Sequence, residues 1–178
     1  MRITVLGDKS GKTSLIQRWI GQPLIPENTI GIDMKTMVFR GTEPIVLHLW
    51  DCSGEKHYEQ MYDNYIGNSD IVVIVFDLTS SQSWLTAQYW VTRTKISIET
   101  PVFLIGNKLD LESTRQVKKR EIKLFNRHIR RPCLFYSETS ALTGENCKAT
   151  LRMIVQEARQ PPVYTQKDLT RNDRCTIV

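Results

Sequence analysis

The sequence predicts one α/β domain built on a doubly wound, mostly parallel six-stranded sheet with helices on both faces. Two observations carry this. Apolar, strand-like runs alternate along the chain with segments of helical period, the pattern of a sheet whose crossover helices cover both faces. Four short polar segments, GDKSGKT (Gly7 to Thr13), DCSG (Asp51 to Gly54), NKLD (Asn107 to Asp110) and ETSAL (Glu138 to Leu142), each follow such a run. Doubly wound sheets hold their ligands there, outside the carboxyl ends of the strands.

In chain order the elements are a strand RITVL, a helix from Thr13, and a hairpin of MKTMVF and IVLHLW turning through Arg40, Gly41, Thr42 and Glu43. The strand DIVVIVFDL follows, then helices near Ser83 to Ser97, Ser113 to Arg130 and Asn146 to Glu157, with strands VFLIGN and PCLFYS between them. After that the composition changes to QPPVYTQKDLTRNDRCTIV, with two prolines and no apolar period. Residues 1–158 therefore read as the domain and 159–178 as a tail.

At 178 residues, 40% apolar and 24% charged, the chain fits a single soluble domain with a real core. The net charge of +5 is modest. The densest basic stretch, Arg115 to Arg131, is interleaved with Ile122, Leu124, Phe125 and Ile129, as on the outer face of an amphipathic helix, so no nucleic-acid partner is expected. The longest apolar run, Asp70 to Leu78, is far shorter than the ~20 residues of a spanning helix. No secretory signal precedes the first strand, and Cys52, Cys133, Cys147 and Cys175 show no CxxC pairing. A monomer in a reducing, cytoplasmic setting is the expectation.

The first polar segment is suited to phosphate. A glycine-rich turn between strand and helix lets backbone N–H groups converge on an anion, and the helix N-terminus adds the positive end of its dipole. Asp8, Lys9, Ser10, Gly11, Lys12, Thr13 and Ser14 are the expected phosphate-binding residues, with Lys12 on the β and γ phosphates and the Thr13 hydroxyl on Mg²⁺. The usual pattern has four residues between its two glycines, whereas only Asp8, Lys9 and Ser10 stand here, so the loop is one residue short.

The third and fourth segments are suited to a base. A carboxylate placed edge-on accepts from guanine N1–H and N2–H₂, a donor pair that adenine lacks, and this role falls to Asp110. Asn107 would bond the base and brace the neighbouring loops, with the Lys108 stem along its face. Ser140 and Ala141 would present backbone N–H groups to the base O6, next to Leu142.

These residues resemble the Ras superfamily of small GTPases, most closely its Rab branch, from Arg2 to about Glu157. The Rab-like details are TIGID (Thr29 to Asp33), LWDCSG (Leu49 to Gly54) and ETSALTGEN (Glu138 to Asn146). The resemblance implies a P-loop G-domain that binds GTP or GDP with Mg²⁺. It implies that Thr29 closes on the metal and the γ-phosphate, that Asp51 holds the metal through water, and that the Gly54 N–H bonds the γ-phosphate. It also implies effector, exchange-factor and activating-protein partners, with Met34, Trp50 and Tyr65 forming an apolar effector patch.

Several positions depart from the family pattern. Glu55 stands where a catalytic glutamine is usual; an anion beside a phosphate whose charge grows in the transition state implies slow hydrolysis. The interval between Thr13 and Thr29 is shorter than in Rab proteins, and Leu24 or Ile25 replaces the aromatic over the guanine, a loss worth roughly 0.5–1.5 kcal/mol. Leu142 replaces the usual lysine. The terminal Cys175-Thr176-Ile177-Val178 is a C-a-a-X arrangement whose cysteine would carry a prenyl group, placing the protein on the cytosolic face of an endomembrane or the plasma membrane. Two other readings stay open: a pseudo-GTPase that works through protein contacts, favoured by the short loop and Glu55, and a P-loop kinase, opposed by the base-reading pair.

Overall fold

The computed structural model describes residues 1–159 except 27, 42, 94, 130, 132 and 133. Its strands are β1 (Arg2–Leu6), β2 (Ile32–Phe39), β3 (Ile45–Cys52), β4 (Ile71–Asp77), β5 (Val102–Asn107) and β6 (Leu134–Glu138). They lie in the order β2-β3-β1-β4-β5-β6. Only the β2–β3 hairpin is antiparallel; the other pairings are parallel, with Ile3 opposite both Leu49 and Ile71. The expected sheet is therefore present, and its switch point falls at β1, whose end feeds the phosphate loop.

The helices are α1 (Lys12–Ile20), α2 (Glu59–Gly67), α3 (Ser81–Thr92), α4 (Lys119–His128) and α5 (Cys147–Arg159). Because strand side chains alternate in direction, β4 sends Val72, Ile74 and Phe76 to one face and Ile71, Val73 and Val75 to the other. The first set packs with Tyr62 and Ile66 of α2, Trp84 and Trp90 of α3 and Ile122 of α4. The second packs with Leu15, Ile16 and Trp19 of α1 and Leu151, Ile154 and Val155 of α5. Burial on both faces is why β4 reads as an unbroken apolar run rather than an alternating one.

Four helices differ from the sequence reading. Helix α2 was not expected; its only helical signal is the buried pair Tyr62 and Ile66, one turn apart in a polar segment. The long helix expected over Ser113 to Arg130 shrinks to α4. Residues Leu109–Thr114 instead form a 3₁₀ segment, and the N–H groups of Gln116 and Val117 both donate to Leu78 O, which holds the chain out of helix. Helix α3 starts at Ser81, with the Ser80 hydroxyl accepting from Ser83 N–H as an N-cap, and ends at Thr92, before Ser97. Helix α5 runs through Arg159, the residue at which the tail was expected to begin.

Cys52 and Cys147 are buried free thiols, pushed up to about 12 and about 11 by burial, as inert core cysteines would be. Cys133, Cys175 and residues 160–178, including the C-a-a-X segment, lie outside the described residues. No helix among the described residues is long and apolar enough to cross a membrane.

Candidate nucleotide and metal site

The loop from β1 to α1 rests against two other strand ends. Gly11 has φ 79°, and a Cβ there would meet Asn107 Nδ2 at 2.8 Å, so a left-handed, side-chain-free residue is required. With one residue fewer than usual, the loop also puts a non-glycine, Lys9, at φ 42°. Lys12 is buried, and its ammonium donates to Gly7 O at 2.8 Å. Burial lowers its pKa against the opposing pull of Asp51, Cys52 and Asp8. A buried cation bonded to a neutral carbonyl suits an anionic ligand. Ser14, in the first turn of α1, and Asp8 are half-buried, and Lys9 is exposed.

Thr13, Thr29 and Asp51 converge from α1, the segment before β2, and the end of β3. Thr13 Oγ1 donates to Asp51 Oδ2 at 2.5 Å, Thr29 Oγ1 stands 3.2 Å from the same oxygen, and the two hydroxyls are 3.0 Å apart. Asp51 is 1% exposed, and its Oδ1, like the Ser10 hydroxyl, is buried without a hydrogen-bond partner. Burial raises the Asp51 pKa in spite of hydrogen bonds from both threonines and the Lys12 charge. An orphaned carboxylate oxygen beside two hydroxyls is a hard-oxygen donor set, and 3.0 Å matches the ~3 Å edge of an octahedron with ~2.1 Å metal–oxygen bonds. These residues fit Mg²⁺. Among the described residues no group of three or more His, Cys, Asp or Glu could hold a metal.

Gly54 lies directly on the phosphate loop: a Cβ there would come within 3.0 Å of Lys9 N and 3.3 Å of Asp8 Cα. The next residue, Glu55, has a side chain 60% exposed and 3.4 Å from His57 Nε2, a neighbour that the sequence did not single out. Tyr62 of α2 donates to Ser53 O at 2.7 Å and so ties α2 to this segment.

The half expected to face the base forms where β5 and β6 end. Asn107 Nδ2 donates to Ser10 O at 2.9 Å, and its Oδ1 accepts from Ala141 N–H at 3.0 Å, so it braces the phosphate loop and the fourth segment at once. Lys108 adopts φ 66° and its ammonium lies 2.6 Å from Asp77 Oδ2, which fixes the stem expected along the base. Asp77 is held below the usual carboxylate range: burial alone would raise it, but Lys108 and Thr79 outweigh burial. Asp110 is exposed and accepts from the Ser140 hydroxyl. The expectation that the Ser140 N–H faces the base O6 is corrected, because it donates to Glu145 O at 3.1 Å. The Ala141 N–H already has Asn107 as a partner. Leu142 is exposed, while Leu24 is half-buried and Ile25 exposed, the latter pinned in both directions by the Gln17 side chain.

Residues without an evident sequence signal complete the frame. Arg115 forks onto Glu138, with Nη2 2.6 Å from Oε2, while Tyr136 donates to the other oxygen at 2.6 Å. Arg18 of α1 donates to Ala141 O at 2.8 Å and to Leu142 O. An arginine on an amphipathic helix reads as a solvated face, so nothing marked Arg18. The acidic end of β4, Asp77 after an apolar run, was a signal that could have been read.

Of the expected effector patch, Met34 is exposed, and Trp50 and Tyr65 are half-buried. Met34 pairs with Trp50 across the hairpin, and Trp50 meets Tyr65 edge-on with centroids 4.9 Å apart, so the three are contiguous.

Comparison with known protein families gives a match to the Ras family over residues 2–160.

Proposed function

Because the chain belongs to the Ras family of small GTPases, we propose that it is a Rab-like, Mg²⁺-dependent GTP/GDP switch with slow intrinsic hydrolysis, acting in membrane trafficking. The observation that carries the switch reading is the meeting of the Thr13 and Thr29 hydroxyls at Asp51 Oδ2, with the carboxylate's other oxygen, Oδ1, buried and without a hydrogen-bond partner. Thr29 comes from the segment before β2 and reaches the first turn of α1, where its hydroxyl lies 3.0 Å from that of Thr13.

In this reading Lys12, Thr13, Ser14 and the loop backbone from Asp8 to Gly11 hold the phosphates, and Asn107, Lys108, Asp110, Ser140, Ala141 and Leu142 surround the guanine. Thr13, Thr29 and Asp51 would hold Mg²⁺, which when bound neutralises charge on the β and γ phosphate oxygens. Thr29 and the Gly54 N–H are the groups that answer to the γ-phosphate, so the segments carrying them take different positions with GTP and with GDP. Glu55 orients the attacking water as an acceptor. Its charge opposes the growing phosphate charge, and it cannot donate as glutamine would, so turnover is slow. Met34, Trp50 and Tyr65 present an apolar patch to effectors. A prenylated Cys175 anchors the monomer to the cytosolic face of a membrane.

A single-turnover assay with radiolabelled GTP tests this. Slow conversion of one equivalent of GTP to GDP, dependent on Mg²⁺, is expected. Bound GTP that never turns over would contradict it and favour the second reading, a pseudo-GTPase interaction module. That reading is supported by the close packing of Gly54 on Lys9 and Asp8 and by the anionic Glu55.

A further inference from the structure

We propose that Arg18 is a positioning residue for Asp110, an inference that rests on the guanine-site reading above. Arg18 sits on the face of α1 toward the fourth segment. Its Nε donates to Ala141 O at 2.8 Å and its Nη2 to Leu142 O, so one planar guanidinium holds two successive carbonyls. The peptide joining Leu142 to Thr143 is a rigid trans plane, in which the N–H points opposite to the C=O. Fixing Leu142 O on Arg18 therefore aims the Thr143 N–H the other way, where it donates to Ser140 Oγ at 3.0 Å. With a donor on its oxygen, the Ser140 hydroxyl gives its own proton to Asp110 Oδ1.

The relay has little slack. Ser140 is fully buried; its N–H donates to Glu145 O, and its carbonyl accepts from Gly144 N–H and the Cys147 thiol. Asp110, by contrast, is an exposed carboxylate on a short 3₁₀ segment, where a side chain would otherwise sample several rotamers. Arg18 thus reaches across from the helix that follows the phosphate loop and holds the base-reading carboxylate in one orientation. An arginine that merely tied α1 to a loop would affect every nucleotide alike. One acting through Asp110 affects guanine recognition in particular, because Asp110 reads both N1–H and N2–H₂.

The experiment measures GDP and IDP affinity by calorimetry for the full chain, Arg18→Met, Arg18→Lys, Ser140→Ala and the Arg18→Met/Ser140→Ala double variant. IDP keeps N1–H and lacks the N2 amino group. Arg18→Met is expected to weaken GDP about tenfold and IDP about threefold or less, as for loss of a hydrogen bond to a charged group. Ser140→Ala should shrink the GDP/IDP ratio similarly, the double variant should lose no more than either single, and Arg18→Lys should fall between. Equal losses for GDP and IDP, or additive losses in the double variant, overturn the proposal. If Arg18→Met does not fold, the ratios for Arg18→Lys and Ser140→Ala decide it. Failure of the unmodified chain to bind GDP at all would sink the guanine-site reading and this inference together. Normal GDP binding with an unchanged ratio in the variants sinks the inference alone.

Discussion

Replacing Arg115 with methionine should destabilise the domain by about 3 kcal/mol, the lower end of the penalty for stripping one partner from a buried ion pair. The lower end applies because Glu138, 8% exposed against 10% for Arg115, would keep the Tyr136 hydroxyl at 2.6 Å and Lys119 at 3.7 Å. For a chain of this size that is a drop in Tm of roughly 6–12 °C. The effect should depend on pH. Burial by itself raises the Glu138 pKa, but Arg115, Tyr136 and Lys119 outweigh it and hold the carboxyl below its ordinary 4.5. A depressed carboxylate contributes stability that is complete above the unfolded value and is lost as pH falls through the folded one. Urea unfolding of wild type and Arg115→Met at pH 7 and at successively lower pH should therefore show a gap that narrows below pH 4.5. A loss under about 1 kcal/mol at pH 7, or a gap that stays constant into acid, would show that the fork does not hold Glu138 as described.

Glu55→Gln should raise single-turnover GTP hydrolysis by roughly tenfold, equivalent to ~1.4 kcal/mol of barrier, with little change in nucleotide affinity; an unchanged rate would remove Glu55 as the brake. Gly11→Ala forces a side chain into φ 79° and against Asn107 Nδ2, and should cost about 2 kcal/mol of stability in thermal unfolding while weakening GDP binding. Met34→Ser, at a residue 59% exposed, should stay within about 0.5 kcal/mol of wild type. Trp50→Ala, which loses the edge contact with Tyr65, should cost about 1–3 kcal/mol; the same unfolding experiment separates the two.

The sheet was legible because β4 and β5 are unbroken apolar runs that only a doubly covered strand can bury, and because the polar segments punctuate strand ends. Helix α2 was not, since Tyr62 and Ile66 are its only buried apolar positions and its other residues are half-buried or exposed. The extent of α4 was misread because the helical pattern read over Ser113 to Arg130 does not show that the N–H groups of Gln116 and Val117 donate to Leu78 O, which delays the helix to Lys119. In the site, Lys12, Thr13, Asp51 and Asn107 could be named because their chemistry is local to short segments. Arg18, Arg115 and the pairing of Lys108 with Asp77 could not, because each acts on a residue far away in sequence that only the fold brings near. The Ser140 N–H was misassigned for a related reason: its partner, Glu145 O, closes a turn whose hydrogen bonding is not written in ETSAL.

Calorimetric titration of the purified, nucleotide-stripped chain with GDP and with ADP, each with and without Mg²⁺, addresses the proposal at its root. Tight binding of GDP, strengthened by Mg²⁺ and at least a hundredfold over ADP, about 2.7 kcal/mol, is the predicted result. Equal affinity for the two bases would contradict base reading by Asp110. GDP binding indifferent to Mg²⁺ would contradict the assignment of Thr13, Thr29 and Asp51 to the metal.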